Sequence, residues 1–480
     1  MRYLHRRGAR IAAALLILGA TGCSVGRQSV PAMTDWPESF SRDGQAMTAE
    51  GAMPAEHWWT AFSDPQLDLL IAEALTGSPD LAAWWDRLDQ ARSLARKAGA
   101  SQWPQLELDG GASRTGRWPD EAPDTYANDF SAQLFASYEI DLWGRVRSSK
   151  EAAVNSARAS EQDFRAAAIS LSANVGATWY ELAEAREQLA VLEEQLAANA
   201  QILELVTLRF QHGRVGASDV LLQQQLVEST QGDRALAQAR IKVLQHQLAV
   251  LLGRPPSDAP DISAAQLIEL PAPPATGVPA ELLQRRPDLQ AAWLEVAAAN
   301  ARLAAAVAER YPRLSISAGG QTGAAEVMDL FSDWLGNLAA NLMMPLIDGG
   351  SRAAEADRQE AVARQALHAY RSTVLTALQD VENALVREER QAEYLASLRR
   401  QVELTRVIFD RTKDDYLGGQ TDYLRVLQAQ TSLHSLQRRL LTAERELIQY
   451  RIDLCRALGG RWTLERPAVA GFEEDGRVSS

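Results

Sequence analysis

Several features that mark other protein classes are scarce or missing in this 480-residue sequence. It has two Cys, too few for a disulfide scaffold, and only 6% of its residues are aromatic. After the first two dozen residues we find no run of about 18 apolar residues, which excludes a bundle of membrane-spanning helices. No basic block lies outside the N-terminus, and 62 acidic against 49 basic residues give a net charge of -13. Nucleic-acid binding is therefore disfavoured.

The motifs that indicate an enzyme are missing as well. Neither a P-loop, a dinucleotide fingerprint nor a Gly-x-Ser-x-Gly elbow occurs between a strand and a helix. The 6 His residues are scattered without metal-binding spacing. Adjacent carboxylates such as Glu193-Glu194 point to different sides of a helix and indicate solvated faces. We therefore predict no enzyme, no catalytic residue, no cofactor and no metal site.

The N-terminus is typical of an export signal with a lipid attachment site. Four Arg residues precede a short apolar segment at residues 11–20. The small residues at 20–22 lead directly into Cys23, which resembles a bacterial lipobox and predicts lipidation of Cys23. Ser24 is not acidic, as in lipoproteins that are sorted to the outer membrane. The alternative is a chance Cys beside an ordinary signal-peptidase site.

The remainder of the chain is one pattern written twice. Trp103-Pro104-Gln105-Leu106 matches Tyr311-Pro312-Arg313-Leu314, and Leu252-Gly253 matches Leu458-Gly459. The Pro-rich stretch between the copies cannot continue a helix and indicates a connector. The predicted parts are a signal peptide (1–22), a lipidated N-terminal segment (23–77), a first repeat (78–254), a connector (255–285), a second repeat (286–459) and a C-terminal tail (460–480).

Each copy contains one very long predicted helix. No Pro occurs from Arg145 to His212 or from Ser351 to Leu417, and apolar residues recur at every seventh position. These positions are Val175, Leu182, Leu189, Leu196, Leu203 and Phe210, then Leu367, Val374, Val381, Leu395, Val402, Phe409 and Tyr416, with Glu388 as a polar interruption. Such a repeat predicts left-handed supercoiled packing against another helix. About 70 residues would measure about 105 Å, so these rods lie outside the membrane.

Alternating residues in each copy predict strands. From Phe130 to Leu142 the even positions are apolar and the odd ones are mostly polar. Similar patterns begin at Leu106 and Leu314, and a weaker one runs from Leu335 to Leu346. Such strands suit a membrane β-barrel, although a soluble sheet beneath helices remains the alternative. Four strands cannot close a barrel, so several chains must share one.

Short motifs then occur in the order and spacing of a known family. They are Trp58-Trp59 with Phe62, Asp64-Pro65 and Leu67, Asp141-Leu142-Trp143-Gly144-Arg145, Leu252-Gly253-Arg254-Pro255, Arg285-Arg286-Pro287-Asp288-Leu289 and Pro345-Leu346-Ile347-Asp348-Gly349-Gly350. With these motifs, nearly all of the mature chain resembles the outer membrane factor family, the TolC-like efflux channels, and within it the lipidated OprM and NodT-type branch.

The resemblance implies a mainly α fold with a membrane β part. It comprises a duplicated unit of two strands plus long coiled-coil helices, in a homotrimer with a twelve-stranded barrel in the outer membrane and a periplasmic α-helical tunnel. The implied partners are a periplasmic adaptor protein, a proton-driven inner-membrane transporter and outer membrane lipids, with no nucleic acid. The function is then a passive, lipid-anchored exit duct for drugs or other small toxic compounds. The alternatives are a duct for protein secretion and a periplasmic coiled-coil lipoprotein scaffold without a pore.

The resemblance also assigns roles to the turns after the long helices. The residues expected to contact the adaptor are Gly213, Arg214, Val215, Gly216, Ala217 and Ser218 in the first turn, and Gly419, Gln420 and Thr421 in the second. Turn formation alone is the alternative role for these residues. Ser218 or Asp219 is expected to cap the returning helix.

A gate is expected beside the second turn. Tyr416 matches a family tyrosine that ties the inner helix pair to its neighbour, or it is simply the last core residue of the seam. Family carboxylates at the aperture correspond to Arg425 and Gln428 here, which implies a neutral or basic constriction. Asp422, one helical turn before Arg425 and within reach of it, is the alternative source of a carboxylate, and the two side chains would then form gate contacts.

Overall fold

The computed structural model describes residues 40, 57–118, 120, 123–260, 265–274, 279–460 and 467. The predicted signal peptide and Cys23 lie outside these residues. The helices before the connector are α1 (Pro65–Gly77), α2 (Pro79–Ala100), α3 (Arg145–Gln211) and α4 (Ala217–Leu251), with strands β1 (Gln105–Arg117) and β2 (Thr125–Ile140) between α2 and α3. After the connector come a helical turn (Leu282–Arg285), α5 (Pro287–Ala308), β3 (Arg313–Ala324), β4 (Leu335–Met343), α6 (Ser351–Leu417) and α7 (Tyr423–Leu458). The order helix, two strands, long helix, shorter helix thus occurs twice.

One helix after the N-terminus has the length and composition of a membrane span, although it contains no run of about 18 apolar residues. By length and composition alone α5, Pro287–Ala308, is long and apolar enough, with a mean hydropathy of 1.2 over 18 residues. Its many Ala residues are interrupted by a few polar ones, so one such helix leaves the exclusion of a bundle of membrane helices unchanged. Leu289, Val296 and Ala298 of this helix are buried in the protein, as in a core helix.

The long helices begin at aspartate caps that follow the strands. The Asp141 carboxylate accepts the backbone N–H groups of Val146 and Arg147 at 3.1 and 2.8 Å, at the start of α3. At the start of α6, the Asp348 carboxylate accepts the backbone N–H groups of Gly350 at 3.0 Å and of Arg352 at 3.3 Å. These bonds satisfy N–H groups that a helix leaves without partners at its N-terminus. In each copy an Asp motif therefore marks the point after the strands at which the long helix begins.

The first of two compact units contains the sheet and comprises residues 90–159 and 292–371. Its four strands are antiparallel in the order β1-β2-β3-β4. Leu108 lies opposite Leu134 of β2, which in turn lies opposite Gly320 of β3. Among the described residues of one chain, β1 and β4 are the edge strands.

The second unit comprises the described residues within 57–89, 160–291 and 372–460 and holds a large apolar core. Trp58, Trp59 and Phe62 pack there against Trp179 and Tyr180 of α3. The indole N–H of Trp58 donates to Ser172 Oγ at 3.1 Å. Burying three large aromatic side chains stabilises the attachment of the N-terminal segment to the long helices.

The polar interruption of the second seam is an ion pair. Glu388 lies on the buried stripe that also includes Val381 and Leu395. Its carboxylate accepts Nε and Nη2 of Arg451 on α7 at 3.1 and 2.7 Å. Arg451 Nη1 also donates to the backbone carbonyl of Pro271 in the connector at 2.9 Å. The pair of Glu388 and Arg451 thus joins α6 to α7, and Arg451 joins both to the connector.

The end of α4 requires glycine for two reasons. Gly253 has a φ of +78°, and a Cβ there would lie 2.1 Å from the carbonyl oxygen of Gly77, at the junction of α1 and α2. Gly213, at the end of α3, has a similar φ of +68° with nothing within 4 Å of such a Cβ. Positive φ alone strains an L-residue, whereas the contact at Gly253 also forces neighbouring backbone to move.

These two glycines make a matched pair for mutation. Gly213→Ala should destabilise the protein by about 1 kcal/mol, the usual cost of a left-handed residue with Cβ. Gly253→Ala should cost about 3 kcal/mol or more because backbone must shift as well. Thermal unfolding of the purified protein in detergent checks both variants. Equal losses of stability would contradict the close approach of Gly253 to Gly77.

Candidate functional site at the helical turns

The two turns after the long helices have the same backbone geometry. Gly213 and Gly419 adopt φ angles of +68° and +75°. The N–H of the following residue reaches back to the long helix in each turn, from Arg214 to the Arg209 carbonyl at 2.9 Å and from Gln420 to the Asp415 carbonyl at 2.8 Å. This is the Schellman arrangement, which ends a helix on a left-handed glycine.

Most of the predicted adaptor-contact residues are on the surface. Those exposed are Gly213, Arg214, Gly216, Ala217, Ser218, Gly419 and Gln420, and those half-buried are Val215 and Thr421. We call these nine residues the tip surface. Both turns belong to the second unit.

The expected cap of α4 by Ser218 or Asp219 is wrong. Gly216 is the N-cap residue, and no side chain makes a capping hydrogen bond there. Ser218 and Asp219 already lie within the first turn, where a side chain no longer points back at the free N–H groups. Asp219 contributes there only as a negative charge near the positive end of the helix dipole.

The predicted gate residues divide between two environments. Asp422, Arg425 and Gln428 are exposed and, at steps of three, share one face of α7. The Asp422 carboxylate is the N-cap of α7 and accepts the backbone N–H of Arg425 at 3.1 Å. The contact expected between Asp422 and Arg425 is therefore made to the backbone of Arg425, and Asp422 remains a surface carboxylate.

Tyr416 lies in the core, apart from the three exposed residues. Its side chain is 4% exposed and clusters with Val206 and Tyr423. The guanidinium of Arg209 stands 4.3 Å from the centre of the Tyr416 ring and donates to its backbone carbonyl at 3.0 Å. Burial raises the pKa of the Tyr416 hydroxyl, which has no hydrogen-bond partner within the described part of the chain.

A buried polar network beside Tyr416 was not predicted. Tyr423 donates its hydroxyl proton to Gln223, whose amide donates to the Asn199 carbonyl at 2.8 Å. The Asn199 side chain donates to Thr230 Oγ1 at 2.9 Å and accepts from Gln430 Nε2 at 2.6 Å. This set, which we call the Asn199 network, joins α3, α4 and α7. Burial raises the pKa of Tyr423, so its hydroxyl stays protonated as a donor.

The seven-residue pattern did contain a signal for Asn199. The apolar seam predicted on α3 is only half-buried at Leu196 and Leu203, whereas Leu192, Asn199 and Val206 are deeply buried. These three residues also repeat at steps of seven. Because α3 contacts both α4 and α7 through the Asn199 network, it has two buried stripes, and only the wholly apolar one is obvious from the sequence.

A second buried polar group joins the same three helices. Glu184 is 1% exposed and accepts hydrogen bonds from Gln188 at 2.7 Å and Thr442 at 2.8 Å. Arg240 and Arg445 approach its other carboxylate oxygen at 3.3 and 3.4 Å. A buried carboxylate with four partners is costly to separate from any of them. Nothing in these contacts resembles a nucleophile with its base, and within the described residues no group of three or more His, Cys, Asp or Glu could hold a metal ion.

The sequence is similar to known proteins over nearly its whole length. The outer membrane efflux protein model matches residues 70–254 and 278–460, which cover both copies of the repeat. The chain is 33% identical over 473 residues to the pyoverdine export outer membrane protein OpmQ of Pseudomonas aeruginosa, covering 95% of this chain and 97% of that protein. It is 29% identical over 454 residues to the cation efflux system protein CusC of Escherichia coli K12, covering 92% and 97%.

A solved structure supports the same relationship. The outer-membrane channel OprN has a TM-score of 0.82 and 27% identity, with 89% of this chain and 97% of that chain covered. The predicted fold class and the predicted efflux function in the outer membrane are thereby confirmed. With both repeats matched by one family model, the chain belongs to the outer membrane efflux protein family.

Proposed function

We propose that this protein is the outer membrane channel of a tripartite efflux system. It acts as a passive duct for small toxic compounds that an inner-membrane transporter delivers through a periplasmic adaptor. The observation that carries the proposal is the four-stranded sheet, which has one apolar face, one polar face and two free edges.

The two faces of the sheet suit lipid and water. The register places these exposed apolar side chains on one face: Leu106, Leu108, Leu134, Ile316, Leu338 and Leu342. It places these polar side chains on the other: Glu107, Asp109, Asp129, Gln133, Gln321 and Asn337. Apolar-out and polar-in alternation is the pattern of a membrane barrel around an aqueous lumen.

The free edges of the sheet support a homotrimer. Unpaired backbone groups on β1 and β4 are costly in lipid, and four strands are too few to close on themselves. Three copies would supply twelve strands and leave no edge. The helices α3 and α6, at about 100 Å each, are too long for the bilayer and would form the walls of the periplasmic tunnel.

The tip surface is the proposed docking site for the adaptor. It combines exposed backbone in two glycine turns with the charge of Arg214. The helices beside it expose Leu208, Leu417 and Leu424. Exposed apolar side chains around a polar turn are typical of a protein interaction site.

Two further assignments belong to this proposal. Cys23 would carry the lipid anchor, which places the mature N-terminus at a membrane surface.

The relatives differ in the named cargo, pyoverdine for OpmQ and cations for CusC. This range supports a duct that accepts small compounds of several kinds and takes its selectivity from the transporter.

Conductance in planar bilayers tests the channel. The purified protein should produce discrete current steps. Leu338→Lys, on the apolar face, should abolish them because a lysine facing lipid costs about 2–4 kcal/mol at mid-membrane. Asn337→Lys, on the polar face one residue away, should keep them. No steps from the unmodified protein would exclude the channel in favour of a scaffold without a pore.

Docking at the tip is tested by charge reversal. Arg214→Glu should lower the amount of adaptor that cross-links to the channel in the periplasm, together with drug export, while conductance is unchanged. Arg400→Glu, an exposed position on α6 away from the turns, is the matched control. Equal cross-linking in both variants would remove Arg214 from the docking surface.

The gate assignment concerns Tyr416, Asp422, Arg425 and Gln428. We propose that the exposed face of α7 with Arg425 lines the constriction, and that Tyr416 holds this end of α7 through its contact with Tyr423. Arg425→Ala should raise single-channel conductance, because a long charged side chain leaves the aperture. Unchanged conductance and export would exclude Arg425 from the gate.

A further inference from the structure

The internal duplication specifies how a second copy of the chain would pair with the free edges of the sheet. We propose that β4 of one copy pairs antiparallel with β1 of the next copy, with Ala340 opposite Ala112. This inference rests on the shared barrel of the proposed function and goes beyond it by naming the register and the contacts.

The register of the strands within each repeat identifies which residues are equivalent. Gln105 lies opposite Ser137 in the first copy, and Arg313 lies opposite Met343 in the second. The sequence repeat makes Gln105 equivalent to Arg313, 208 positions later, so Ser137 is equivalent to Met343, 206 positions later.

The long helices give the second offset independently. Both α3 and α6 have 67 residues, and they begin at Arg145 and Ser351, again 206 positions apart. The spacing between the strand and the long helix that follows it is therefore the same in both copies: eight positions separate Ser137 from Arg145, and eight separate Met343 from Ser351. The equivalence of β2 with β4 thus has two separate supports, hydrogen-bonded pairing and helix position.

The pairing of β2 with β3 then serves as the template for the missing interface. This pairing joins the end of the first repeat to the start of the second, with Leu134 opposite Gly320. The equivalent of Leu134 is Ala340, and the equivalent of Gly320 is Ala112. If one repeat follows another around the barrel, the second repeat of one copy meets the first repeat of the next copy in this same register.

The side chains on the two edges are complementary in this register. Met344 would lie opposite Leu108 of the next copy, and Leu346 opposite Leu106, four side chains that are 56%, 78%, 83% and 67% exposed in the single chain. Met344 and Leu346 follow the end of β4 at Met343, and their pairing would continue the apolar face beyond the strand. At the other end of the interface the same register places Leu338 opposite Arg114, where the apolar face ends. A slip by one residue would instead place apolar against polar faces, which disfavours it strongly.

The aromatic residues at the base of the sheet fit the same arrangement. Where β2 meets β3, Trp143 stacks on Tyr311 with ring centres 4.9 Å apart. The equivalent of Tyr311 is Trp103, which is 73% exposed, and the equivalent of Trp143 is Gly349. In the proposed interface Trp103 would therefore face Gly349 of the preceding copy. Because Gly349 has no side chain, the indole of Trp103 has room there.

Engineered cysteines test the register directly. The chain carrying Ala340→Cys and Ala112→Cys, and a second carrying Ala339→Cys and Ser113→Cys, should each form covalent dimers and trimers under mild oxidation. Opposite residues in antiparallel strands have Cβ atoms about 4.5–5.5 Å apart, close to the distance that a disulfide needs. The two pairs lie on opposite faces, so one of them is the closer, non-hydrogen-bonded type.

The controls separate the register from the assembly. Each single-cysteine variant should stay unlinked, because the opposite position in the next copy then carries no thiol. In the double variants a link within one chain is excluded, since β1 and β4 are not neighbours there. Ala340→Cys combined with Gly110→Cys or with Arg114→Cys reports a two-residue slip in either direction. Linking of a slipped pair in place of the predicted pair would overturn the register and keep the shared barrel. No linking of any pair in a conducting protein would overturn the contact between β4 and β1, and a monomer without conductance would overturn the proposed function itself.

Discussion

Backbone N–H and C=O groups cannot remain unpaired in lipid, and this requirement explains most of the sheet's architecture. The sheet has an apolar face made for lipid, yet it ends in two free edges, β1 and β4. A single chain therefore has side chains suited to lipid, but it leaves backbone groups on β1 and β4 without hydrogen-bond partners. The proposed shared barrel answers this requirement, because structurally equivalent repeats from several copies can pair in one register around a closed ring.

Polar contacts define the alignment of the long helices where apolar packing alone would leave it ambiguous. A seven-residue repeat of similar apolar side chains can slip by one heptad at modest cost, whereas a buried polar side chain must find its own partner. Three such contacts are hydrogen bonds between side chains of different helices. They join Glu388 to Arg451, Glu184 to Thr442 and Asn199 to Gln430. These contacts lie at different positions along α3, α6 and α7. Together they favour one alignment of the helices over slipped alternatives, the role for which buried polar residues in coiled coils are best attested.

Most of the architecture was readable from the chain because it depends on short-range patterns. Proline-free stretches with a seven-residue repeat predicted α3 and α6 within one residue of their observed ends. Alternation predicted β2, and it was weakest for β4, whose pattern was expected to continue to Leu346 although the strand ends at Met343 in the single chain. The Asn199 network was missed, since a lone polar residue at a buried position resembles a surface residue until both neighbouring helices are known. The cap at Ser218 was wrong because a shift of two residues in the start of α4 decides whether a side chain can cap it.

The helices, the strands, their duplication and the family could be predicted from the chain, because helix and strand periodicity, proline placement and spaced motifs are properties of neighbouring residues. Which residues are paired became known from the folded chain. It placed Tyr416 in the core beneath Arg209 and left Asp422, Arg425 and Gln428 exposed. It also supplied the strand register from which the contact between copies could be derived. Burial and register depend on side chains that lie far apart in the chain, and no local pattern encodes which of them will meet.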